Sequence, residues 1–309
     1  MMNTLIAGGA GFLGSHLTEL LIAKGHNVVV VDNLSSGLMS NLESVKDKIG
    51  FIKADITADE ISITGGLDLV VNMASRASRA EWEKYPVEVA LSNSLGSSNL
   101  IKIALAKKAR YIFASTSEVY GNPDVVPTPE TYKGNLNHLG SRAPYDESKI
   151  FGETLTKAYE AEYGLESIII RFFNTYGPRM RGGDMYGRVI DRFIKQAMAN
   201  EPITVYGTGS QTRSFTYVSD TINAVMLLIE KGKPGEIYNI GTNKELSIVE
   251  LAKTVIEVTG SKSEIVYSEL PKDDPLRRGA DNSKISALGW APEIGVREGL
   301  AKMMESYRA

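Results

Sequence analysis

Cysteine is absent from all 309 residues, and histidine is nearly absent. Without cysteine the chain has no disulfide, no thiol nucleophile and no thiolate metal site. The histidines His16, His26 and His138 are scattered and show no metal-ligand spacing, so we expect no metal site. The chain also lacks an apolar run of transmembrane length and the charged start and cleavage site of a signal peptide. We therefore expect a cytoplasmic protein that makes no membrane contact.

An excess of positive charge is also missing. The formal net charge is −3, whereas a nucleic-acid-binding surface needs a basic stripe, so we expect no nucleic-acid partner. No linker, internal repeat or low-complexity tract divides the chain. A chain of this length can bury a large core and form one α/β unit or two lobes.

What the sequence does contain is a glycine-rich turn near its start. Residues 3–7 are an apolar run of strand length, residues 8–14 read GGAGFLG, and residues 12–24 carry apolar side chains at helical spacing. A strand, a glycine turn and a helix in this order predict a phosphate-binding site. Glycine lets the backbone approach a pyrophosphate, whose charge then lies at the unpaired N–H groups of the helix N-terminus.

The motif alone is equally compatible with a plain glycine loop. A second apolar run at 27–31 ends in Asp32, which is 18 residues after Gly14. A carboxylate there can accept hydrogen bonds from both hydroxyls of an adenosine ribose and would repel a 2′-phosphate, which predicts NAD rather than NADP. Asp55 and Ile56, after the third strand-like run, either contact the adenine or form an ordinary loop.

Strand-like and helical patterns alternate through the first half. The strand-like runs are 27–32, 50–53, 68–73, 110–115 and 167–173, and the later helical stretches are 87–108 and 145–163. This alternation predicts an α/β fold with a doubly wound parallel sheet. Such a sheet binds its ligand at the carboxyl ends of the strands.

The second half of the chain differs in composition and in secondary-structure pattern. Residues 177–187 and 205–213 are polar, glycine-rich loops, and helical patterns follow at 218–230, 247–259 and 296–307. We predict a domain at 1–172 and a smaller lobe at 173–309. Part of 215–260 is expected to return to the first domain, with residues 237–240 adding a strand.

Tyr145 and Lys149 are four residues apart and would share one helix face. Most such pairs are surface contacts, but this one follows residues 115–118 at the end of a predicted strand. A tyrosine pKa is ordinarily about 10, and an adjacent ammonium and a nicotinamide cation would both favour the phenolate. We therefore predict that Tyr145 takes a proton from a sugar hydroxyl that Thr116 orients.

The motifs together resemble those of the extended short-chain dehydrogenase/reductase family, which acts on nucleotide sugars. Within it, the chain is most similar to the UDP-glucuronate decarboxylases. The matching segments are STSEVYGNP (115–123), APYDESK (143–149), RFFNTYGPRM (171–180), VYGTGSQTRSFTYVSD (205–220) and DDPLRR (273–278). These segments extend over most of the chain.

The resemblance implies a Rossmann-type fold with a smaller C-terminal substrate-binding lobe, NAD as cofactor and a UDP-sugar as substrate. The implied cofactor residues are Gly8, Gly11, Phe12, Leu13, Gly14, Asp32, Asn33, Ser36, Gly37, Asp55, Ile56, Ala74, Tyr145 and Lys149. The implied catalytic residues are Tyr145 as base, Lys149 as its electrostatic partner, Thr116, Ser117 and Glu118. The residues implied to hold UDP are Asn174, Arg188, Arg213 and Arg278, since an arginine fork pairs well with phosphate.

Glu118 bears on which reaction follows oxidation at C4. Simple 4-epimerases of the family usually carry a small residue here, whereas 4,6-dehydratases use a glutamate as a base at C5. The YDESK, GPRM and DDPLRR segments favour decarboxylation of UDP-glucuronate to UDP-xylose. The alternative is a UDP-sugar 4-epimerase, acting on UDP-glucose/UDP-galactose or UDP-glucuronate/UDP-galacturonate. A non-catalytic dinucleotide-binding regulator is disfavoured because such proteins typically lose the tyrosine and the lysine.

The segment after the fourth strand departs from the decarboxylase pattern. Asn72 stands where that pattern has histidine, and Arg76 and Arg79 stand where it has prolines. These cations would suit an anionic sugar or would point to solvent, and they leave the sugar's identity open. The resemblance also implies a homodimer through helices near 87–108 and 145–163.

Overall fold

The structure is a computed structural model and describes residues 1–58, 60–180, 188–270 and 276–308. The strands are β1 (Asn3–Ala7), β2 (Asn27–Asp32), β3 (Gly50–Lys53), β4 (Leu69–Asn72), β5 (Arg110–Thr116), β6 (Ser167–Phe172), β7 (Thr175–Tyr176), β8 (Ile203–Tyr206), β9 (Thr212–Ser214), β10 (Thr216–Tyr217), β11 (Glu236–Ile240), β12 (Glu245–Ser247), β13 (Ile265–Ser268) and β14 (Arg277–Arg278). The helices are α1 (Phe12–Ala23), α2 (Arg79–Lys84), α3 (Pro86–Leu91), α4 (Ser97–Lys107), α5 (Ala143–Tyr163), α6 (Val189–Met198), α7 (Val218–Lys231), α8 (Ile248–Thr259), α9 (Ser283–Ser286) and α10 (Val296–Arg308). Among the helices in these ranges, none combines the length and apolar character that crossing a bilayer requires.

Seven of these strands form one parallel sheet in the order β11-β6-β5-β4-β1-β2-β3. The chain therefore winds outward in both directions from β1, which confirms the predicted α/β, doubly wound parallel sheet. β11 pairs with β6 and contains the residues 237–240 that were expected to add a strand. The proposed division of the chain at residue 172 stays a prediction.

Helices cover both faces of the sheet, so the middle of its central strands is largely apolar. Leu5 and Ala7 of β1 belong to one core layer, and Ile6 between them belongs to the other, as the two-residue period of a strand requires. All three are fully buried. Leu21 of α1 packs in the layer with Ile6, and Ile101 of α4 packs in the opposite layer.

The helical stretch predicted at 87–108 is continuous but not uniformly α-helical. Between α3 and α4, residues Ser92–Gly96 form a π-helical turn. The Ser92 hydroxyl donates to the Glu88 carbonyl at 2.7 Å. It thereby competes for a carbonyl oxygen that accepts a backbone hydrogen bond in a regular α-helix. Gly96 allows close packing here, because a Cβ on it would lie 2.5 Å from the Ile56 side chain. These two features account for the local change of winding.

Helix α6 lies in a part of the chain where the sequence analysis placed no helix. Its buried residues are Ile190, Asp191, Phe193, Ile194 and Ala197. The apolar members of this set follow the i, i+3, i+4, i+7 spacing of an amphipathic helix. That spacing is the signal that would have identified α6 from the sequence.

Helix α8 begins with a capping box, which gives a prediction on stability. The Ser247 hydroxyl accepts a hydrogen bond from the Glu250 N–H at 3.2 Å, and the Glu250 carboxylate accepts one from the Ser247 N–H at 2.9 Å. Ser247→Ala is expected to lower the free energy of unfolding by about 1 kcal/mol, as loss of an N-cap usually does. Urea unfolding measures this, with Ser40→Ala as the exposed-serine control. Equal effects of the two substitutions would contradict the prediction.

Candidate active site

The glycine turn has a geometry that only glycine allows. Gly8 has φ +79°, and a Cβ on it would lie 2.7 Å from the Met73 carbonyl and from the Ala74 nitrogen. A Cβ on Gly14 would lie 2.1 Å from the Gly8 oxygen. The N-cap of α1 is Gly11, which has no side chain to satisfy the first N–H groups of the helix. Those groups are therefore available to a phosphate, as predicted.

Asp32 lies at the carboxyl end of β2, as expected for the ribose ligand. Its side chain is buried, and its oxygens accept hydrogen bonds from the N–H groups of Ala10 at 3.0 Å and Leu34 at 2.8 Å. Burial raises the pKa of this carboxyl, and the two N–H donors oppose that effect. Gly37 packs against it, since a Cβ there would lie 2.9 Å from Oδ2. Each carboxylate oxygen keeps a second lone pair that can accept a ribose hydroxyl.

The neighbouring loops bring the remaining adenosine-side candidates together. The Asn33 amide donates to the Asp55 carboxylate at 2.9 Å, and the Thr57 N–H and hydroxyl donate to it at 2.8 and 2.6 Å. Burial tends to raise the pKa of Asp55, but these hydrogen bonds hold it below its usual value. Ile56 is buried beside this carboxylate, and Ser36 is half-buried in the loop after β2.

These observations test whether the chain fits a dinucleotide. A backbone cradle without Cβ atoms lies at a helix N-terminus, and a buried acid follows β2. This donor set suits a pyrophosphate and an adenosine ribose, so the residues present fit NAD. No cluster of three or more histidine, cysteine or acidic side chains that could hold a metal ion occurs in the described ranges.

Helix α5 places Tyr145 and Lys149 at the carboxyl end of β5. Both side chains are buried, and the Lys149 ammonium donates to the Ala114 carbonyl at 2.7 Å. The Tyr145 hydroxyl forms a hydrogen bond with Thr116, the last residue of β5. The Lys149 nitrogen is 5.8 Å from the centre of the Tyr145 ring. The structure therefore unites the predicted base, its partner and the orienting hydroxyl.

The prediction that the Tyr145 phenolate is favoured included a nicotinamide cation, and burial in the protein alone acts in the opposite direction. Burial raises the pKa of Tyr145 to about 12, against the hydrogen bond from Thr116 and the charges of Arg188 and Arg142. Burial also lowers the pKa of Lys149 to about 7, although Glu153 opposes this. Desolvation disfavours the charged form of both groups and outweighs the attraction between them.

An aromatic ring covers the catalytic tyrosine and was missed by the sequence analysis. Trp82 of α2 stacks on Tyr145 with 4.2 Å between ring centres and an interplanar angle of 10°. Both rings are buried, and the Trp82 indole N–H donates to the Arg76 carbonyl at 3.0 Å. No spacing signal links residues 82 and 145, because the contact is tertiary.

Glu118 lies between two guanidinium groups. Its carboxylate forms a two-pronged ion pair with Arg278, in which Nη2 is 2.9 Å from Oε2, and a further ion pair with Arg142. Arg142 also lies 3.5 Å from Asp146, whose pKa burial raises to about 6 against the charges of both arginines. Arg142 was missed by the sequence analysis. Its position just before α5, three residues from Tyr145, is the signal that would have found it.

Three of the four predicted UDP ligands lie on or beside β9 and β14. Arg213 of β9 and Arg278 of β14 are register partners and are both buried. The Asn174 amide donates to the Ser214 carbonyl of β9 at 3.4 Å. Arg188 lies apart from them, with its guanidinium 5.5 Å from the centre of the Phe12 ring. Its charge also acts on Tyr145, so it belongs to the cofactor side of the groove.

The structure also locates two further predicted site residues, Leu13 and Ser117. Leu13 is half-buried on α1, and Ser117 is buried at the start of the short helical turn that carries Glu118. Residues 181–187 and 273–275 of the polar segments lie outside the described residues. The roles assigned to the site residues remain predictions.

A buried ion pair between Glu153 and Arg171 lies next to the site. The sequence analysis did not predict it. The Glu153 carboxylate of α5 accepts from the Arg171 guanidinium of β6 at 2.6 and 2.9 Å. Arg171 also donates to the Tyr120 hydroxyl at 3.0 Å, and the Ser115 hydroxyl donates to Glu153 at 2.5 Å. These contacts tie α5 to β5 and β6 directly beneath Tyr145 and Lys149.

The three departures from the decarboxylase pattern are also located. Asn72 is buried and donates to the hydroxyls of Ser97 at 3.0 Å and Tyr111 at 2.9 Å, so it serves the core. Arg76 and Arg79 form ion pairs with glutamates of the segment that follows them. Their charges are therefore not simply exposed to solvent.

The chain is similar to known proteins over nearly its whole length. It is 41% identical over 307 residues to UDP-glucuronic acid decarboxylase 1 of Xenopus tropicalis, covering 98% of this chain and 72% of that protein. It is 42% identical over 311 residues to UDP-glucuronic acid decarboxylase 3 of Arabidopsis thaliana, covering 99% and 89%.

Solved structures show the same fold. UDP-glucose 4-epimerase of Thermotoga maritima, solved with UDP-glucose, aligns with a TM-score of 0.90 and 32% identity over 99% of both chains. UDP-glucuronic acid 4-epimerase of Bacillus cereus, in complex with UDP-glucuronic acid and NAD, aligns with a TM-score of 0.90 and 28% identity over 99% of both.

A family model also matches residues 4–241, from β1 to the residue after β11. It is described as the NAD dependent epimerase/dehydratase family. The match spans more than half of the chain and includes the glycine turn, Asp32, Glu118, Tyr145 and Lys149. It confirms both the resemblance and the prediction of NAD as cofactor. The chain therefore belongs to the NAD dependent epimerase/dehydratase family.

Proposed function

We propose that this enzyme decarboxylates UDP-glucuronate to UDP-xylose. The observation that carries the proposal is the Glu118 carboxylate held by Arg142 and Arg278 beside the Tyr145 and Lys149 pair. A charged group next to the base is needed when chemistry must occur at C5 as well as at C4. The identity to decarboxylases over nearly the whole chain supports the same choice.

NAD, when bound, would supply a hydride acceptor for C4 of the sugar and, once reduced, the donor that restores it. The C4 ketone is β to the C6 carboxylate, so the bond between C5 and C6 breaks, CO₂ leaves and its electron pair forms an enolate. A proton is added at C5, and reduction at C4 restores the alcohol. The net change is UDP-glucuronate plus a proton giving UDP-xylose plus CO₂.

Tyr145 and its neighbours manage the proton at C4. Tyr145 accepts the proton of the C4 hydroxyl and returns it when the ketone is reduced, which is general base and then general acid catalysis. Thr116, hydrogen-bonded to Tyr145, orients the same sugar oxygen. Lys149, fixed by the Ala114 carbonyl beside the Tyr145 ring, would favour the phenolate in its protonated form.

Glu118, Arg142 and Arg278 would act at C5 and C6 of the sugar. Because two guanidinium groups compensate the charge of the Glu118 carboxylate, it would exert little repulsion on the carboxylate of the sugar. The cationic pair would instead stabilise the negative charge of the enolate in a site largely shielded from water. Glu118 would position the proton that is added at C5.

Turnover of UDP-glucuronate in D₂O tests this proposal. We expect CO₂ and UDP-xylose carrying one deuterium at C5, because the proton added there comes from solvent. NMR of the sugar product measures the label. UDP-glucose is the matched control, since it lacks the carboxylate and should release no CO₂. UDP-galacturonate without deuterium at C5 would contradict decarboxylation.

The second candidate is a UDP-sugar 4-epimerase. It is favoured by the two structural neighbours above, both of which are 4-epimerases. This reaction needs the same proton transfer at C4 but nothing at C5. Conversion of UDP-glucose to UDP-galactose, or of UDP-glucuronate to UDP-galacturonate, in the same NMR assay would establish it.

We further propose that the protein is a homodimer through α3 and α5. The π-helical turn after α3 is joined to α5 by the Asn93 amide, which donates to the Ser148 hydroxyl at 3.0 Å. On this surface four large apolar side chains are more than 40% exposed: Val87, Leu91, Leu95 and Phe151. Burying such a patch against a second copy would remove apolar area from water.

Light scattering tests the oligomeric state. We expect twice the chain mass of 33.6 kDa, and we expect Phe151→Arg to shift the protein toward the monomer, because a charge would be buried in the interface. Tyr267→Arg, at a residue 60% exposed on β13, is the matched control. A monomeric wild-type protein would contradict the proposal.

A further inference from the structure

The segment that follows β4 begins at the glycine turn. The backbone of Met73 and Ala74 is in close approach to Gly8. The next residue, Ser75, has a buried hydroxyl without a hydrogen-bond partner among the described residues. Buried hydroxyls are normally satisfied, so this one is available to a ligand in the groove. The segment thus starts where the pyrophosphate of a dinucleotide is expected.

Further along, the same segment reaches the loop that holds the adenosine ribose. Arg76 Nη1 lies 3.5 Å from the carbonyl oxygen of Ser35, which belongs to the loop after Asp32. The positive charge of Arg76 also acts on the Asp55 carboxylate after β3. Arg76 therefore spans from the end of β4 to the loops after β2 and β3.

Arg76 is held in this position from its other side. Its guanidinium pairs with Glu81 of α2 at 3.0 Å and with Glu88 of α3 at 3.1 Å, and it lies 4.3 Å from the centre of the Tyr85 ring. Its side chain is only 12% exposed. An arginine with two carboxylate partners and a ring contact has little freedom to leave.

The two ends of the segment are connected to each other. Trp82 stacks on Tyr145 at the catalytic end, and its indole N–H donates to the Arg76 carbonyl at the ribose end. The segment is therefore a continuous cover between the catalytic tyrosine and the ribose loop. Its contacts lie at Tyr145 and at the loop after Asp32, where the two ends of the NAD molecule are expected.

We propose that residues 75–85 form a strap across the cofactor groove and that Arg76 is a positioning residue that retains NAD between turnovers. The proposal rests on the proposed function, in which NAD ends each cycle as it began. Such a cycle needs no cofactor exchange. A cofactor lost in mid-cycle would carry away two electrons and leave the sugar as a ketone.

The experiment measures the dissociation rate of NAD. Protein loaded with radiolabelled NAD is mixed with excess unlabelled NAD, and the label that remains bound is followed by rapid gel filtration. We expect Arg76→Gln to release NAD roughly ten-fold faster than wild type, since changes at one interface act mostly on the dissociation rate. Glu88→Gln, which removes one anchor, should give a smaller increase. Lys102→Gln, at an exposed charge on α4 outside the strap, is the matched control and should leave the rate unchanged.

The outcomes separate the two proposals. Equal release rates for wild type, Arg76→Gln and Lys102→Gln would overturn the strap and leave the proposed function intact. A wild-type protein that binds no NAD would overturn both. Thermal unfolding checks that each variant folds. If Arg76→Gln does not, Glu88→Gln decides the question, because the Glu88 side chain is 57% exposed and its loss should be tolerated.

Discussion

Replacement of Tyr145 by phenylalanine is expected to lower kcat by about 10³-fold, within the usual contribution of general acid–base catalysis. The substitution removes the hydroxyl that Thr116 contacts, but it keeps the ring that stacks on Trp82. The fold and NAD binding should therefore be preserved. Steady-state turnover of UDP-glucuronate measures the loss.

The pH dependence of the same variant identifies the base. Burial raises the pKa of Tyr145 to about 12, so at neutral pH its hydroxyl is protonated in the protein alone. A base must lose its proton to act, so kcat/KM of the wild type should rise with pH through the neutral range. Tyr145→Phe should lose that rise. Tyr163→Phe, an exposed tyrosine on the same helix, is the control and should behave as wild type. Full turnover by Tyr145→Phe would remove it as the base.

Replacement of Glu118 by glutamine is expected to slow the formation of UDP-xylose by about 10²-fold while sparing oxidation at C4. Glutamine keeps the size of the side chain but removes the charge that holds Arg142 and Arg278 together. The proton at C5 is then badly positioned, whereas Tyr145 and Thr116 are untouched. Reduced nicotinamide should therefore accumulate when the variant is mixed with UDP-glucuronate. Its absorbance shows how far oxidation at C4 outpaces the formation of UDP-xylose.

A neighbouring glutamate provides the control for this variant. Glu147 lies on α5 and contacts His138 at the surface, so Glu147→Gln should not alter either stage. Thermal unfolding of Glu118→Gln separates a catalytic loss from the cost of leaving two guanidinium groups without their shared carboxylate. Unchanged product formation with no reduced nicotinamide would contradict the role given to Glu118.

The central sheet and the cofactor side were predictable because their signals are local. Strands buried on both faces must be apolar throughout, so β1, β2 and β6 stand out as short hydrophobic runs. The turn needs glycine at positions 8 and 14, where any Cβ would collide with backbone, and that requirement is visible in the residue types. Asp32 follows its strand directly, so its place at the edge of the sheet follows from the fold class.

The reaction side was decided by contacts between distant parts of the chain. Glu118 and Arg278 are 160 residues apart, Trp82 meets Tyr145 from another helix, and Arg142 enters the site only because α5 begins there. No periodicity encodes such pairs, since each depends on how segments separated in sequence meet in the folded chain. The tyrosine's pKa shows the same point. The predicted lowering came from the Lys149 ammonium and a nicotinamide cation, whereas burial in the assembled site raises the pKa of Tyr145, because desolvation depends on everything packed around the ring.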